Sequence, residues 1–373
     1  MRILTVNAGS SSLKLALFES RGVEPVRVAK ANEAVKGEAY LTALSTFLDA
    51  YPGKIDVVAH RVVHGGQQFT RPQIIDAEVE AAIGALALLA PLHNPAALKG
   101  LHAVRQLLGS TVPHVALFDT AFFAELPAAA AVYALPRELT HRHGIRRFGF
   151  HGLAHQGRWK RWQQLGGSEA PARRVISLHL GAGCSAVALA HGKPVDTSMG
   201  FSPLEGLVMA TRSGDVDPAV LLHLMRSGEL SLDQLEHMLN SESGLLGLSG
   251  RSADMRELID SEQQADRLAV DVFVLRVRKY LGAYAAVLGG VDAVLVGGGI
   301  GEFQPEVRAR IFADMAWMGV KLDVEANRLA VNRETFVHAK DSAVSVWVIP
   351  TDEEQTMAQE TMDLLKNSGG DRA

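Results

Sequence analysis

One cysteine, Cys184, stands in 373 residues, and that scarcity closes off several classes at once. An internal disulfide and every multi-cysteine metal site are excluded, which fits a reducing compartment. Charge of either sign is not in surplus. A formal net charge of −4 provides no broad attraction for nucleic acid or for an anionic lipid surface, so any bound anion must be held by local arrangement. Long apolar runs are missing too: the longest, Ala81 to Leu92, contains Gly84 and closes on Pro91, short of the roughly 20 residues that a membrane span needs. Met1-Arg2 leads into only a few apolar residues before a Gly-Ser turn, too few for the apolar core of a secretory signal. The expectation is a soluble, cytoplasmic protein with neither nucleic-acid nor membrane partners.

Familiar nucleotide and metal signatures are also absent. Gly9-Ser10-Ser11-Ser12-Leu13-Lys14 lacks the second glycine that a Walker A loop places before its lysine. Gly299-Ile300-Gly301 is followed by Gln304 where a dinucleotide fingerprint requires its third glycine. His151-Gly152-Leu153-Ala154-His155 has Gly152 where a zinc-protease helix needs glutamate.

What the chain does have is an echo. An apolar strand, Ile3-Leu4-Thr5-Val6, enters the turn Asn7-Ala8-Gly9-Ser10-Ser11-Ser12 and leaves through Leu13 to Leu17. The pattern returns 172 positions later as Val175 to Leu178, then His179-Leu180-Gly181-Ala182-Gly183-Cys184-Ser185, then Ala186 to Leu189. Asn7 falls on His179 and Gly9 on Gly181, which points to duplication of one α/β unit. At this length two domains are the default, and a hydrophobic share of 47% gives each a core. With Gly297 to Gly301 closing a third apolar strand, three glycine turns end strands, and a nucleotide site explains them better than tight geometry alone.

Four further residues are candidates for chemistry. Arg61 follows the β-branched run Ile55 to Ala59, and Asp119 ends the apolar run Val115 to Phe118, both at strand ends where α/β sites gather. His151 follows the basic and aromatic turn Arg146 to Phe150. Asp217 and Pro218 read as a cap and first residue of a helix, which leaves Arg212 in Thr211 to Pro218 unused and available, with Arg61, for bidentate anion recognition. Among the helices, Asp76 caps one that breaks at Pro91, Pro95 opens another, and the longest runs from about Gln263 to Leu288 with Leu268, Val272, Leu275 and Ala283 on one side. The stretch Leu126 to Arg146 has no clear period and reads as lid or connector.

Together these motifs resemble the acetate kinase family, the acyl-phosphate branch of the actin and sugar kinase superfamily. Asn7 to Lys14 match its first signature, and Met199 to Gly206 with Thr211 to Pro218 match its second; Pro91 to Pro95, Phe118 to Thr120, Phe148 to His151 and Gly298 to Glu302 fall in family order. The resemblance implies a duplicated ribonuclease-H-like (actin-like ATPase) α/β fold. It would have an N-terminal domain at 1–146, joined by a helix returning from about 352–373, and a C-terminal domain at 147–351, with the active site in the cleft between them. It implies phosphoryl transfer between ATP or ADP and acetate or acetyl phosphate, Mg2+ or Mn2+ as cofactor, and a homodimer. Asn7, Ser10, Ser12 and Lys14 would surround the phosphates, with Asn7 and Glu353 near the metal. Arg61, Arg212, His151 and Asp119 would be catalytic, and Arg61 with Val63, Leu92, Phe150 and Pro203 would bind the acyl group. His179, Leu180, Gly181, Ala182, Gly183, Asp254, Met255, Arg256, Gly299, Ile300 and Gly301 match the nucleotide side, and His93 matches a position near the site. Propionate or another short acyl acceptor, pyrophosphate as donor, and a nucleotide-binding member with weakened catalysis are the alternatives. Departures from the family pattern are Ala182, Phe303 and Asp352, each where relatives carry asparagine, and a shorter segment between Phe18 and Arg61.

Overall fold

The computed structural model describes residues 1–9, 12–20, 22–35, 39–91, 93–167 and 174–370; Ser10 and Leu92, two of the expected site residues, lie outside them. The chain divides into two compact units, the first made of Met1–Ala124, Phe150–Gly157 and Asp352–Ala373, the second of Glu125–Gly149 and Arg158–Thr351.

The first unit is built on β1 (Arg2–Ala8), β2 (Ser12–Glu19), β3 (Val26–Ala34), β4 (Val57–Val62), β5 (Gln73–Ile74) and β6 (His114–Phe118), ordered β3-β2-β1-β4-β6-β5. The second uses β7 (Arg174–Leu180), β8 (Cys184–Ala190), β9 (Lys193–Thr197), β10 (Ala293–Gly297), β11 (Thr335–Phe336) and β12 (Ser345–Val348), ordered β11-β12-β10-β7-β8-β9. These are the same sheet. In each, the first three strands form an antiparallel meander, the next two apolar strands add in parallel, and a two-residue strand closes the edge antiparallel. The duplication expected from the 172-residue echo is therefore present strand for strand.

Alternation of side chains explains how each sheet is covered on both faces. In the first, Leu4, Val6, Leu15, Leu17 and Val58 pack with Leu44, Phe47 and Val104 of the helices Ala39–Ala50 and Asn94–Leu108. Their neighbours in sequence, Ile3, Ala16, Phe18, Val57 and Ala59, point the other way onto Leu153, Met357 and Met362 of the helices Gly152–Trp162 and Glu353–Gly370.

The first strand of each sheet also opens with the same polar lock, which composition and periodicity do not signal. Arg2 and Arg174 open the two equivalent strands. The Arg2 N–H donates to Asp56 Oδ2 (2.8 Å) and its Nη1 to the Pro52 carbonyl (2.7 Å); the Arg174 N–H donates to Asp292 Oδ2 (2.9 Å) and its Nη1 to the Gly289 carbonyl (2.8 Å). A methyl group on Gly53 or Gly290 would fall 1.9 or 2.3 Å from those guanidiniums, and both glycines hold positive φ, so glycine is required there twice over.

Most expected helices form. Asp76 and Asp217 cap theirs, accepting from the Val79 and Ala219 N–H groups, and Pro95 and Pro218 sit in the first turns. The long helix is Gln264–Leu288, but its buried face is not the expected one. Ala269, Val270, Phe273, Val277, Leu281 and Tyr284 are buried, whereas Leu268 and Leu275 are 54% and 59% exposed. The helix has two apolar stripes, and the buried one carries the aromatic residues Phe273 and Tyr284 together with Val270 and Val277. The stretch Leu126 to Arg146 contains two short helices, Ala128–Ala131 and Arg137–His143.

A buried histidine pair lies in the first sheet. His60 Nε2 and His114 Nδ1 are 2.9 Å apart on adjacent strands, and both rings are almost wholly buried. Burial pushes His60 well below the usual histidine range, with His114 and Arg105 adding to it; burial, then Arg105, brings His114 down to about 4. The unfolded chain thus binds protons below about pH 6.5 that the folded chain refuses, so stability falls as pH drops through that value towards 4. The His114 share is on the order of 3 kcal/mol. Urea titrations between pH 7 and 4 are expected to show a shallower loss for the double variant His60→Leu/His114→Leu; equal slopes would refute this.

Candidate active site

In the first unit the parallel strands β1, β4 and β6 deliver Asn7, Arg61 and Asp119 to their carboxyl ends, where open α/β sheets place their sites. Arg61 is the hub. Its Nη2 donates to Asp119 Oδ2 at 2.6 Å and its Nε reaches both Asp119 oxygens at 3.2 Å, a bidentate pair. Nη1 donates to Asn7 Oδ1 (3.2 Å) and lies 3.1 Å from Glu353 Oε2. Asn7 Nδ2 in turn donates to Glu353 Oε2 (2.9 Å) and Glu354 Oε1 (3.3 Å). Asp119 and Glu353 are buried.

Local sequence explains how these groups are held. Gly152 leaves no room for a side chain, since a Cβ there would stand 1.9 Å from the Asp119 carbonyl oxygen. The Leu153 N–H donates to the Asp119 carboxylate, so Asp119 caps the helix Gly152–Trp162. His151, between them, takes φ +56, a conformation that costs a non-glycine residue roughly 1 kcal/mol or more and is concentrated at functional sites. Asp352, the residue that departs from the family's asparagine, accepts from the Gln355 N–H (2.9 Å) and pairs with Arg27, anchoring the turn that presents Glu353. Lys14 faces Asn7 across the β1–β2 ladder. Phe150 is buried with its ring 5.5 Å from His64, next to Val63.

Burial works to raise the Glu353 pKa, but Arg61, Lys14, His151 and the Asn7 amide outweigh it and hold the carboxylate ionised below its ordinary range. At Asp119 burial wins, with Glu353 adding to it, and the carboxyl is raised despite Arg61. Two buried carboxylates thus share one guanidinium, and the Asn7 amide ties a third, Glu354, to the cluster. Oxygen-only donors from Asn7, Asp119 and Glu353 fit a hard divalent cation, which binds through one or two carboxylates and completes its shell with phosphate and water. Among the described residues no group of three or more His, Cys, Asp or Glu is spaced to hold a metal alone.

In the second unit the glycine turns converge. A Cβ on Gly298, which has φ +81, would fall 2.6 to 2.7 Å from Leu180 backbone atoms, and one on Gly181 would stand 3.6 Å from Gly299 N and 3.8 Å from His179 Nε2. His179, Leu180, Gly181 and Gly299 therefore form one backbone-lined surface, with Ile300 and Gly301 in the short helix that follows. The Gly181 N–H donates to the Gly183 carbonyl (3.1 Å), and Cys184 Sγ donates to the Gly181 carbonyl (3.2 Å). Burial pushes that thiol up to about 12, so Cys184 acts as a neutral brace. Ala182 lacks an amide side chain, yet its carbonyl accepts from the Ala210 N–H (3.0 Å) and ties the turn to the loop that carries Arg212.

Arg212 contrasts with Arg61. Its Nη1 donates to the Pro203 carbonyl (3.2 Å) and it has no carboxylate partner among the described residues; burial lowers its pKa. Asp254 caps the helix Met255–Leu258, and Arg256 folds back onto it, Nε to Oδ1 at 2.9 Å. Met255 is buried and His93 precedes the helix Asn94–Leu108. Sequence reasoning missed Glu354, Arg158, Glu302 and Thr351. The adjacent acidic pair Glu353-Glu354 was a usable signal for the first, whereas the other three become visible only once strand ends are aligned.

A sequence model of the Acetokinase family matches residues 25–359. The chain belongs to the acetokinase family. It is 44% identical over 391 residues to an acetate kinase of Clavibacter michiganensis subsp. michiganensis, covering 96% of this chain and 98% of that one. Among solved structures it resembles Porphyromonas gingivalis acetate kinase, with TM-score 0.86, 37% identity and coverage of 98% and 99% of the two chains. It is equally similar to a propionate kinase from Francisella tularensis, with TM-score 0.86, 37% identity and coverage of 96% and 98%. Within the acetokinase fold, then, this chain's two arginines carry different structural loads. Arg61→Ala leaves Asp119 and Glu353 buried without their cation and is expected to cost roughly 3 to 5 kcal/mol, whereas Arg212→Ala is expected to stay within about 1 kcal/mol of the parent. Chemical denaturation at pH 7 measures both; comparable losses would contradict the assignment.

Proposed function

We propose that the chain catalyses reversible phosphoryl transfer between ATP and acetate, giving acetyl phosphate and ADP by direct in-line attack. The observation that carries this reading is Arg212, a half-buried guanidinium with no carboxylate partner among the described residues. It is joined through the Ala182 carbonyl to a glycine turn of the kind that cradles phosphate. A carboxylic acid has a pKa of about 4, so at neutral pH the acceptor is already ionised and needs no general base. The obstacle is repulsion between two anions, and the residues answer it with charge. Arg212 and His151 neutralise the transferring phosphoryl oxygens, and Lys14 and Asn7 hold the phosphates. Asp119 keeps Arg61 oriented instead of taking a proton. Glu353 and Asn7 would hold Mg2+, which when bound would supply further positive charge to the phosphate oxygens. Preorganised groups of this kind each lower such barriers by roughly 3 kcal/mol. Val63, Leu92, Phe150 and Pro203 are assigned to the acyl methyl group, His179 to Gly183 and Gly299 to Gly301 to the nucleotide, and Asp254, Met255 and Arg256 to its adenosine.

A propionate acceptor is the second reading, favoured by the likeness to a propionate kinase, because one methylene changes binding by only about 1 to 3 kcal/mol. The enzyme works in the cytoplasm, in keeping with a single buried thiol, and no helix among the described residues is long and apolar enough to cross a membrane. It acts as a homodimer. The helix Pro218–Arg226 has no buried residue although Val220, Leu222 and Met225 are apolar and exposed, and a second copy of this chain would cover that face.

Trapping acyl phosphate with hydroxylamine, with ATP or pyrophosphate as donor, should give product with ATP and acetate. Arg212→Ala should lower turnover by at least about a hundredfold, and EDTA should abolish it; no product from acetate or propionate would overturn the reading. In sedimentation velocity runs, Leu222→Asp/Met225→Asp should turn a dimeric parent into a monomer, and a monomeric parent would remove the dimer from the proposal.

A further inference from the structure

The two sheets can be aligned residue by residue through their registers. Val57 pairs with Ile3 in the first and Ala293 with Val175 in the second, while Val58 pairs with His114 and Val294 with Val346. Continuing along the strands, Asn7 corresponds to His179, Arg61 to Gly297 and Asp119 to Thr351. In the first unit the Arg61 guanidinium joins Asn7 and Asp119. In the second unit the corresponding strand position is a glycine, yet the guanidinium is still there. It belongs to Arg158, on the helix Gly152–Trp162: Nη2 donates to Thr351 Oγ1 (2.9 Å) and to His179 Nδ1 (3.4 Å), and Nη1 donates to Ser177 Oγ (3.0 Å). A Cβ on Gly297 would stand 2.2 Å from Arg158 Nη2, so the missing side chain of Gly297 is the space that the guanidinium fills. Arg158 is buried and lies within the second unit.

The chemistry of that contact is one-sided. A guanidinium has only donors, so His179 Nδ1 must accept, and the proton of the neutral imidazole is placed on Nε2. That nitrogen is the one that faces Gly181. Thr351 passes the constraint on, because its Oγ1 also accepts from the Gly298 N–H (3.0 Å), and the Gly298 and Thr351 N–H groups both donate to buried Glu302 (2.7 and 2.8 Å). One buried cation therefore sets the tautomer of His179 and the path of the Gly297 to Gly299 turn.

We propose that Arg158 is a positioning residue for nucleotide: it holds His179 as an Nε2–H donor aimed at the glycine turn, a side-chain donor that Ala182 does not supply. This rests on the assignment of that turn to the nucleotide.

The test uses the full chain, with 15N-labelled histidine and the His179→Gln spectrum to assign the resonance, alongside calorimetric titration with ADP. The parent should show His179 protonated on Nε2 alone. Arg158→Gln, which can donate or accept, should mix the tautomers and weaken ADP binding about tenfold, the scale of one charge-assisted hydrogen bond, with the KM for acetate unchanged; Arg158→Lys, again a pure donor, should restore the tautomer. Gly297→Ala displaces the guanidinium without removing it and should act in the same direction, which keeps the test open if Arg158→Gln does not fold. A pure Nε2–H signal in both variants, or ADP affinity within about twofold of the parent, overturns the proposal. If the parent itself binds no ADP, the nucleotide reading fails instead, and the tautomer measurement still reports whether Arg158 sets His179.

Discussion

Three carboxylates and one guanidinium cannot be gathered at the end of a sheet without a solution to the charge imbalance, and that constraint organises the first unit. Arg61 is shared between Asp119 and Glu353, and the Asn7 amide turns its oxygen to the cation and its nitrogen to the anions. Taking such charges out of water costs several kcal/mol per ion, which only a dense set of hydrogen bonds offsets. The surrounding architecture supplies them. Gly152 lets a helix start against the Asp119 backbone, Leu153 gives its N–H to the carboxylate, and the Asp352 cap fixes the first turn from which Glu353 projects. The remaining negative charge is what a divalent cation and a cationic lysine are suited to meet.

The second unit solves a related problem with other parts. Its equivalent strand ends carry His179, Gly297 and Thr351, neutral where the first unit is ionic, and a guanidinium arrives from a helix to replace the one the strand has lost. Glu302 is fixed by two backbone N–H groups, those of Gly298 and Thr351. Duplication kept the sheet and the polar lock at its entry, Arg2 with Asp56 and Arg174 with Asp292, while the strand ends diverged into a carboxylate cluster in one copy and a glycine-lined surface in the other. The arginine roles diverge with them. Arg61 serves the acidic residues around it, and Arg212 is left without an acidic partner among the described residues.

Much of this was legible in the sequence because it is local. The first hairpin, the echo at His179, the caps at Asp76 and Asp217, and the strand-end positions of Arg61 and Asp119 all follow from apolar runs, turn residues and capping chemistry that act over a few residues. Edge strands were not. Val26–Ala34 is rich in polar residues and buries only Ala29, and it is a strand because β2 offers it a ladder. The long helix shows the same limit: two apolar stripes satisfy the same periodicity, and only packing on β8 and its neighbours chose Val270, Phe273 and Val277 over Leu268 and Leu275.

By itself the sequence determined the family, the duplicated α/β plan and which residue types stand at the strand ends, since these are written in short motifs and in the spacing of apolar residues. Tertiary structure alone decided the partnerships: that Glu353 returns across 346 positions to Asn7, that Gly297 is empty so that Arg158 can fill it, and that Arg212 donates to the Pro203 carbonyl. The reason is physical. Helices, turns and strands follow from interactions between near neighbours, whereas the compensation of a buried charge depends on which distant groups the fold brings within about 3 Å of it.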